Sequence, residues 1–238
     1  TYKATASSAM ACLTNAGDRL TIKAGTYTAA LARISTAVNN VANGTSGNPT
    51  IIEGDPGDAA GCAIATTCST IIRPTGIYAA YLNNKSYVTL RKLVLDNANN
   101  TSNQATIYVL GIGTGVTLED VEIKNSIASG LLGEANVNAL TLRRANVHNN
   151  GSDFNDHGFY SDGDNALLEY SEFHNNSSAG IQHYGAGAGV PDNGVIRWNK
   201  IYSNGTGIFG EGTNVHYEHN EVYNNTSNGI LLGFSNAP

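Results

Sequence analysis

The stretch "HGFYSDGDNALLEYSEFHNNSSAGIQHYG", His157–Gly185, carries three histidines and several acids set among aromatic residues, the composition of an active site. It also repeats itself. "SAGIQHYG" keeps the spacing of "DHGFYSDG", and "EFHNN" keeps that of "NVHNN" one unit earlier. Working outward, six segments superimpose without gaps. They are "VTLRKLVLDN" ending at Asn97, "VTLEDVEIKN" at Asn125, "LTLRRANVHN" at Asn149, "LLEYSEFHN" at Asn175, "VIRWNKIYS" at Ser203 and "HYEHNEVYN" at Asn224, with ends 28, 24, 26, 28 and 21 residues apart. Short strands of alternating polarity recurring at a period that varies only by loop length mean stacked coils.

Each column of the alignment has a physical reading. Leu95, Ile123, Val147, Phe173, Ile201 and Val222 form one inward column, and Leu90, Leu118, Leu142, Leu168, Ile196 and Tyr217 form another. Asn97, Asn125, Asn149, Asn175, Ser203 and Asn224 mark a turn, where asparagine tolerates the left-handed conformation and stacked amides bond from coil to coil. Arg91, Glu119, Arg143, Glu169, Arg197 and Glu218 alternate in sign, so strands about 4.8 Å apart place each charge between opposite ones. On the other side of each coil Gly76, Gly130, Gly158, Gly180, Gly207 and Gly229 precede Ile77, Leu131, Phe159, Ile181, Ile208 and Ile230, with Ile107 filling the missing place. The pattern extends back through "RLTIKAGTY", "PTIIEGDPG" and "STIIRPTG". The Ala-rich segment from Ala4 to Asn15 reads as a short helix over the first coil.

These columns resemble those of the right-handed parallel β-helix proteins of the pectate-lyase-like superfamily, from "AGDRLTIKAGTYT" (Ala16–Thr28) to Phe234. We therefore expect one all-β domain over residues 1–238: a cap at 1–17, then about eight to ten coils over 18–238, the last uncapped. The resemblance implies an extracellular protein that handles polysaccharide, as a lyase, a hydrolase or a non-catalytic surface protein. Catalysis does not carry over with it. Of the Asn-x-Asp, Asp-Asp, Gly-His-Gly and Arg-Ile-Lys signatures of galacturonan hydrolases, only "DHG" (Asp156–Gly158) comes near one, and no ligand set of a calcium-dependent lyase stands out. "NNKS" (Asn83–Ser86) is similar to a motif of alginate-lyase-like relatives and is equally how an ordinary coil begins.

The bulk numbers narrow the partners. A net charge of −6 with scattered Lys and Arg leaves no basic stripe for nucleic acid. No apolar run approaches the roughly 18 residues that span a bilayer. The chain begins at Thr1 and has one methionine, Met10, which fits trimming from an exported precursor. Cys62 and Cys68 can close a loop or either can pair with Cys12, leaving one thiol over. Asn-x-Ser/Thr acceptors for N-linked glycans stand at Asn43, Asn84, Asn99, Asn150, Asn175, Asn204 and Asn224.

Outward positions of the Gly-preceded strand define the candidate site. One column reads Tyr78, Tyr108, Leu132, Tyr160, Gln182, Phe209, Leu231; the next reads Ala80, Leu110, Glu134, Asp162, Tyr184, Glu211, Gly233. An aromatic row beside an acidic row suits sugars, because aromatic faces stack on pyranose rings while carboxylates accept hydroxyl hydrogen bonds. Tyr108, Tyr160, Tyr184, Phe209 and Glu211 are the candidate substrate-binding residues. Two insertions, "NGSDFNDH" before Gly158 and "YGAGAGVPDNG" after His183, flank this part of the face as rims. Asp162 and Glu134 lie on adjacent coils, a spacing open to both retaining and inverting glycosidase geometry, and His157 joins them as the third candidate catalytic group. Asp153, Asp156 and Asp164, with Asp162, offer oxygens of the kind Ca²⁺ takes. His148 and His174 read as coil surface, His183 as an interior residue. A second reading makes the chain a structural subunit whose open end stacks on the next copy into a fibre.

Overall fold

The computed structural model describes residues 6–36, 38–100, 102–185 and 190–233. The chain winds as a parallel β-helix, and among the described residues every pairing between its strands is parallel. A representative coil runs through Thr141–Arg143, a corner at Arg144, Asn146–His148, a corner at Asn149, and Phe159–Ser161. The first two strands of such coils belong to a 14-stranded sheet, here the first sheet, and the third to an eight-stranded one, the second sheet. Among the described residues the second sheet has eight strands, and so eight coils, at the lower bound of the expected number. Among the described residues no helix is long and apolar enough to cross a membrane.

The core columns pair as aligned. Leu95, Ile123, Val147, Phe173, Ile201 and Val222 sit in register from coil to coil, as do Leu90, Leu118, Leu142, Leu168, Ile196 and Tyr217. Most are fully buried in one continuous cluster, which also takes in Met10 and Leu13 at the end of the short helix Ala6–Met10. The glycine before each second-sheet strand has a steric cause. A Cβ on Gly130 would lie 2.5 Å from the Gly158 carbonyl oxygen and one on Gly158 would lie 2.6 Å from that of Gly180, so only hydrogen lets the coils close.

Non-glycine residues hold the left-handed conformation in columns. Lys92, Asp120, Arg144, Tyr170, Trp198 and His219 take it at the first corner, and Asn125, Asn149, Asn175, Ser203 and Asn224 at the second. Such a residue costs roughly 1–2 kcal/mol. The inward side chain that follows it offsets the cost. Asn150, Asn176, Asn204 and Asn225 stack inside the second corner, where each Oδ1 accepts from the backbone N–H one coil back (Asn150 N to Asn176 Oδ1 3.2 Å, Asn176 N to Asn204 Oδ1 3.1 Å). Each Nδ2 donates to a carbonyl of that coil, as in Asn176 Nδ2 to Val147 O at 3.1 Å. Ser171, Asn199 and Asn220 repeat the device inside the first corner.

Four expectations are corrected here. The amide ladder runs one residue after the positions expected from the alignment, because those positions supply the turn and their successors point inward. That burial also removes Asn150 and Asn204 as glycan acceptors, since their amide nitrogens are spent inside the ladder. On the second sheet Ile107 pairs with Ala80 and Tyr108 with Tyr81, so Gly76, Ile77 and Tyr78 precede the strand rather than lie in its columns. The alternating charges do form a ladder, extended back to Glu53 by its pair with Arg91 at 2.6 Å and carried on by Arg143 and Arg197 to Glu169 at 2.6 and 2.8 Å. Glu119, however, turns to Arg144 at 3.3 Å as well as Arg91.

Cys62 and Cys68 form a disulfide and Cys12 stays free and exposed. The bridged loop packs on the Asp120 corner, where Gly61 N donates to Asp120 Oδ1 at 2.6 Å. The expected open last coil falls partly on residues 234–238, and the glycine loop after His183 partly on 186–189. Both segments lie outside the described residues.

Candidate functional site

The outer surface of the second sheet is built by alternation. In the strands Ile107–Leu110, Leu131–Gly133, Phe159–Ser161, Ala179–His183 and Thr206–Gly210 the apolar residue enters the core and its neighbour faces out. The outward row is Tyr81, Tyr108, Leu132, Tyr160, Gln182, Phe209 and Leu231, in register throughout. Tyr78 stacks on Tyr81 from outside the row, with ring centroids 5.0 Å apart. The Tyr108 hydroxyl accepts from the Ala105 N–H at 3.1 Å.

The acidic row begins where these strands end. The Tyr184 N–H donates to Ser161 O, and the Glu134 and Glu211 N–H groups donate to Val109 O and His183 O, so Glu134, Asp162, Tyr184 and Glu211 follow one another on successive coils. Asp162 is half-buried, and its Oδ1 is shielded from solvent without a hydrogen-bond partner. Burial, and after it the charge of Glu134, pushes the Asp162 carboxyl above the usual aspartate value. Glu134 is exposed, one oxygen fixed by the Gly111 N–H at 2.7 Å. Burial, then Asp162 and Tyr184, also raises the Tyr160 hydroxyl. Tyr184 stacks on Phe209 at 5.3 Å. Beside them a recess of about 250 Å³ is lined by Gly210, Glu211, Val215 and Tyr217, among others.

His157 is less accessible than its place beside an insertion suggests. It is 6% exposed, its Nδ1 accepts from the Ala179 N–H at 3.2 Å, and its ring stacks on Tyr160 at 5.9 Å. Burial pushes its pKa down to about 4 against the pull of Asp156 and Asp153. A neutral ring with its acceptor nitrogen occupied supports Tyr160 from behind. His183 is fully buried, its Nδ1 3.1 Å from Ser161 O and its Nε2 without a partner.

The three aspartates of the expected Ca²⁺ set are not brought together. Asp156 is buried, its Oδ2 accepting from Ser152 N and Asp153 N, while Asp153 caps Asn155 N and Asp164 caps Asp192 N. Among the described residues, only Asp58, Cys62 and Cys68 place three ligand atoms within 4.8 Å of one another, and those two sulfurs are bonded to each other. Asp153, Asp156 and Asp164 serve the turns that carry them, and do not fit a shared calcium ion.

Sequence reasoning missed the ring ladders of the first sheet. His148, His174, Tyr202 and Tyr223 stack at 4.8, 4.9 and 5.0 Å, within 7° of parallel, and Tyr170, Trp198 and His219 form a second stack at the first corner. Stacked from coil to coil, these rings brace the coils on one another. The signal was present in the alignment, but the change from His to Tyr along it disguised a single column of flat rings.

A family model described as "Right handed beta helix region" matches residues 75–237. No curated protein matches the chain. Among solved structures, the A-modules of the mannuronan C-5 epimerases AlgE4 and AlgE6 of Azotobacter vinelandii superimpose with TM-scores of 0.57 and 0.55. The AlgE4 module is 18% identical over 95% of this chain and 75% of its own, and the AlgE6 module 15% over 91% and 71%. The pectate lyase Pel9A is 15% identical over 98% of this chain and 72% of its own, with a TM-score of 0.49. At such identities the likeness is one of fold.

Proposed function

Since the chain belongs to the right-handed β-helix family, we propose that it binds a polysaccharide along the outer face of the second sheet and cleaves it with Asp162 and Glu134. One observation carries this reading. Asp162, with its raised pKa and an unpartnered oxygen, stands beside Glu134 and next to Tyr160, so a proton donor and a second carboxylate meet where a sugar ring can stack. Adjacent coils hold the two backbones about 4.8 Å apart. In the reaction Asp162 gives its proton to the glycosidic oxygen as that bond breaks and the ionised Glu134 attacks the sugar carbon left electron-poor; water, losing a proton to Asp162, then displaces Glu134 and frees the new reducing end. Tyr160, Tyr184 and Phe209 would position the chain of sugars, with Glu211 accepting a hydroxyl further along. The Cys62–Cys68 disulfide suits work outside the cell, where such bonds persist.

The test is a pair of variants assayed against a panel of gel-embedded polysaccharides and for release of reducing ends. Asp162→Asn should keep binding and lose release by about 100-fold or more, as expected for a general acid. Tyr160→Ala should weaken binding about tenfold through the lost ring contact. A double variant that retains both binding and cleavage would overturn the proposal.

A further inference from the structure

Positive charge is sorted by face. Beyond Asp96 the chain has five cations, Lys124, Arg143, Arg144, Arg197 and Lys200, and all belong to the first sheet or its corner. Each is paired there: Arg143 and Arg197 with Glu169, Arg144 with Asp120 and Glu119, Lys124 with Glu122, and Lys200 with Glu172. The stretches 97–116, 125–140, 149–166, 175–194, 203–215 and 224–238, which carry the second-sheet strands and their connections, contain no Lys or Arg. They contain seven acids: Glu134, Asp153, Asp156, Asp162, Asp164, Asp192 and Glu211. Their two histidines are buried, and burial lowers the pKa of both.

Resting on the binding face proposed above, we infer that its substrate is an uncharged polysaccharide and that polyuronates are excluded. A polyuronate carries a carboxylate on every ring. Laid along Tyr108, Tyr160 and Phe209, it would set those charges against Glu134, Asp162 and Glu211, and the guanidinium that borders the row, Arg33, lies over Tyr78 at the far end from them. A bridging divalent cation would need converging oxygens, and the Asp153, Asp156 and Asp164 carboxylates are spent on separate turns. A neutral sugar meets no such obstacle. Its hydroxyls donate to the same carboxylates and its apolar faces stack on the rings. The acids that repel one polymer are the hydrogen-bond acceptors for the other.

Affinity electrophoresis of the full chain, wild type and Tyr160→Ala, separates the outcomes. The gels contain a neutral β-glucan, xylan, mannuronan, polygalacturonate or polyglucosamine, each with and without added Ca²⁺. Runs at about 0.01 M and about 1 M salt shrink the Debye length from about 30 Å to about 3 Å. We expect a neutral polymer to retard the wild type equally at both salts, with about tenfold weaker retardation of Tyr160→Ala. We expect mannuronan and polygalacturonate to give none at low salt. Retardation by a polyuronate at low salt, or only with Ca²⁺, that is lost in Tyr160→Ala would sink the inference and leave the binding face standing. So would a preference for polyglucosamine that disappears at high salt. If no polymer retards the wild type, or Tyr160→Ala behaves like it, the face itself is wrong and the inference falls with it.

Discussion

At Asp162 the fold disfavours the charged form of a half-buried carboxyl. The folded-state pKa is raised, so between the ordinary aspartate value and the raised one the native state binds more protons than the unfolded chain, and stability falls as pH rises through that window. Asp162→Asn should therefore raise the melting temperature at pH 7 and give no gain at about pH 3, below the usual aspartate range of about 3.9. A loss of stability at pH 7 would show that the ionised carboxyl holds the structure together. His174 has the opposite sign. Burial, then the stacked His148, lowers its pKa to about 4, from about 6.5 in an unfolded chain, so stability is full above the upper value and lost as pH falls through the window. His174→Phe keeps a ring in the column without a titrating nitrogen. Its melting temperature should vary less between about pH 6.5 and about pH 4 than that of the wild type; an unchanged slope would place the acid sensitivity elsewhere, His157 being the other histidine shifted to about 4. Residues of the columns were legible in the sequence because six coils tested each position. Asp153 and Asp156 were not, because an insertion occurs once and nothing fixes its register.

The corner elements separate two asparagines that the sequence places side by side. Asn175 takes the left-handed turn in the open, where Gly would serve as well. Asn176 is buried, and its amide satisfies the Asn150 N–H, the Val147 carbonyl and the Asn204 amide. Asn176→Ala leaves those backbone groups unpaired inside the coil, at roughly 1–3 kcal/mol for each buried orphan. Urea unfolding should show Asn175→Gly within about 0.5 kcal/mol of the wild type and Asn176→Ala destabilised by about 2 kcal/mol or more. Equal effects would mean that the turn, and not the inner ladder, holds the corner. The dipeptide "NN" hid this division, since both residues suit a turn on composition alone. The slip at Tyr78 has a related cause. Gly76 has a φ of +122° and precedes an isoleucine, so it imitates the column glycine, although the strand starts only at Ala80.

Over the whole molecule, the devices that set register and the proposed binding face lie on different sheets. The first sheet carries the paired charges and stacked rings that fix one coil on the next, and beyond Asp96 the stretches that carry the second sheet hold tyrosines and acids without Lys or Arg. This division was legible in the sign alternation of one column, but the ring ladders needed coordinates. Because coils touch only their neighbours, cohesion is close to a sum of nearest-neighbour terms. Phe173 is the largest member of its column, fully buried between Val147 and Ile201. Phe173→Ala removes its contact with both neighbours at about 3–5 kcal/mol. In a two-layer globule such a loss would be shared by the whole core; in a stack it falls on one junction. The long strands Val88–Asp96 and Thr117–Lys124, coupled along their full length, are insulated from it by the coil of Leu142 and Val147. Hydrogen exchange of Phe173→Ala should therefore lose protection in Val195–Arg197, Lys200–Tyr202 and Thr206–Gly210 while Val88–Asp96 stays near the wild-type rate. Uniform loss along the chain would show that the solenoid unfolds as one cooperative unit, and that the nearest-neighbour account of its stability is wrong.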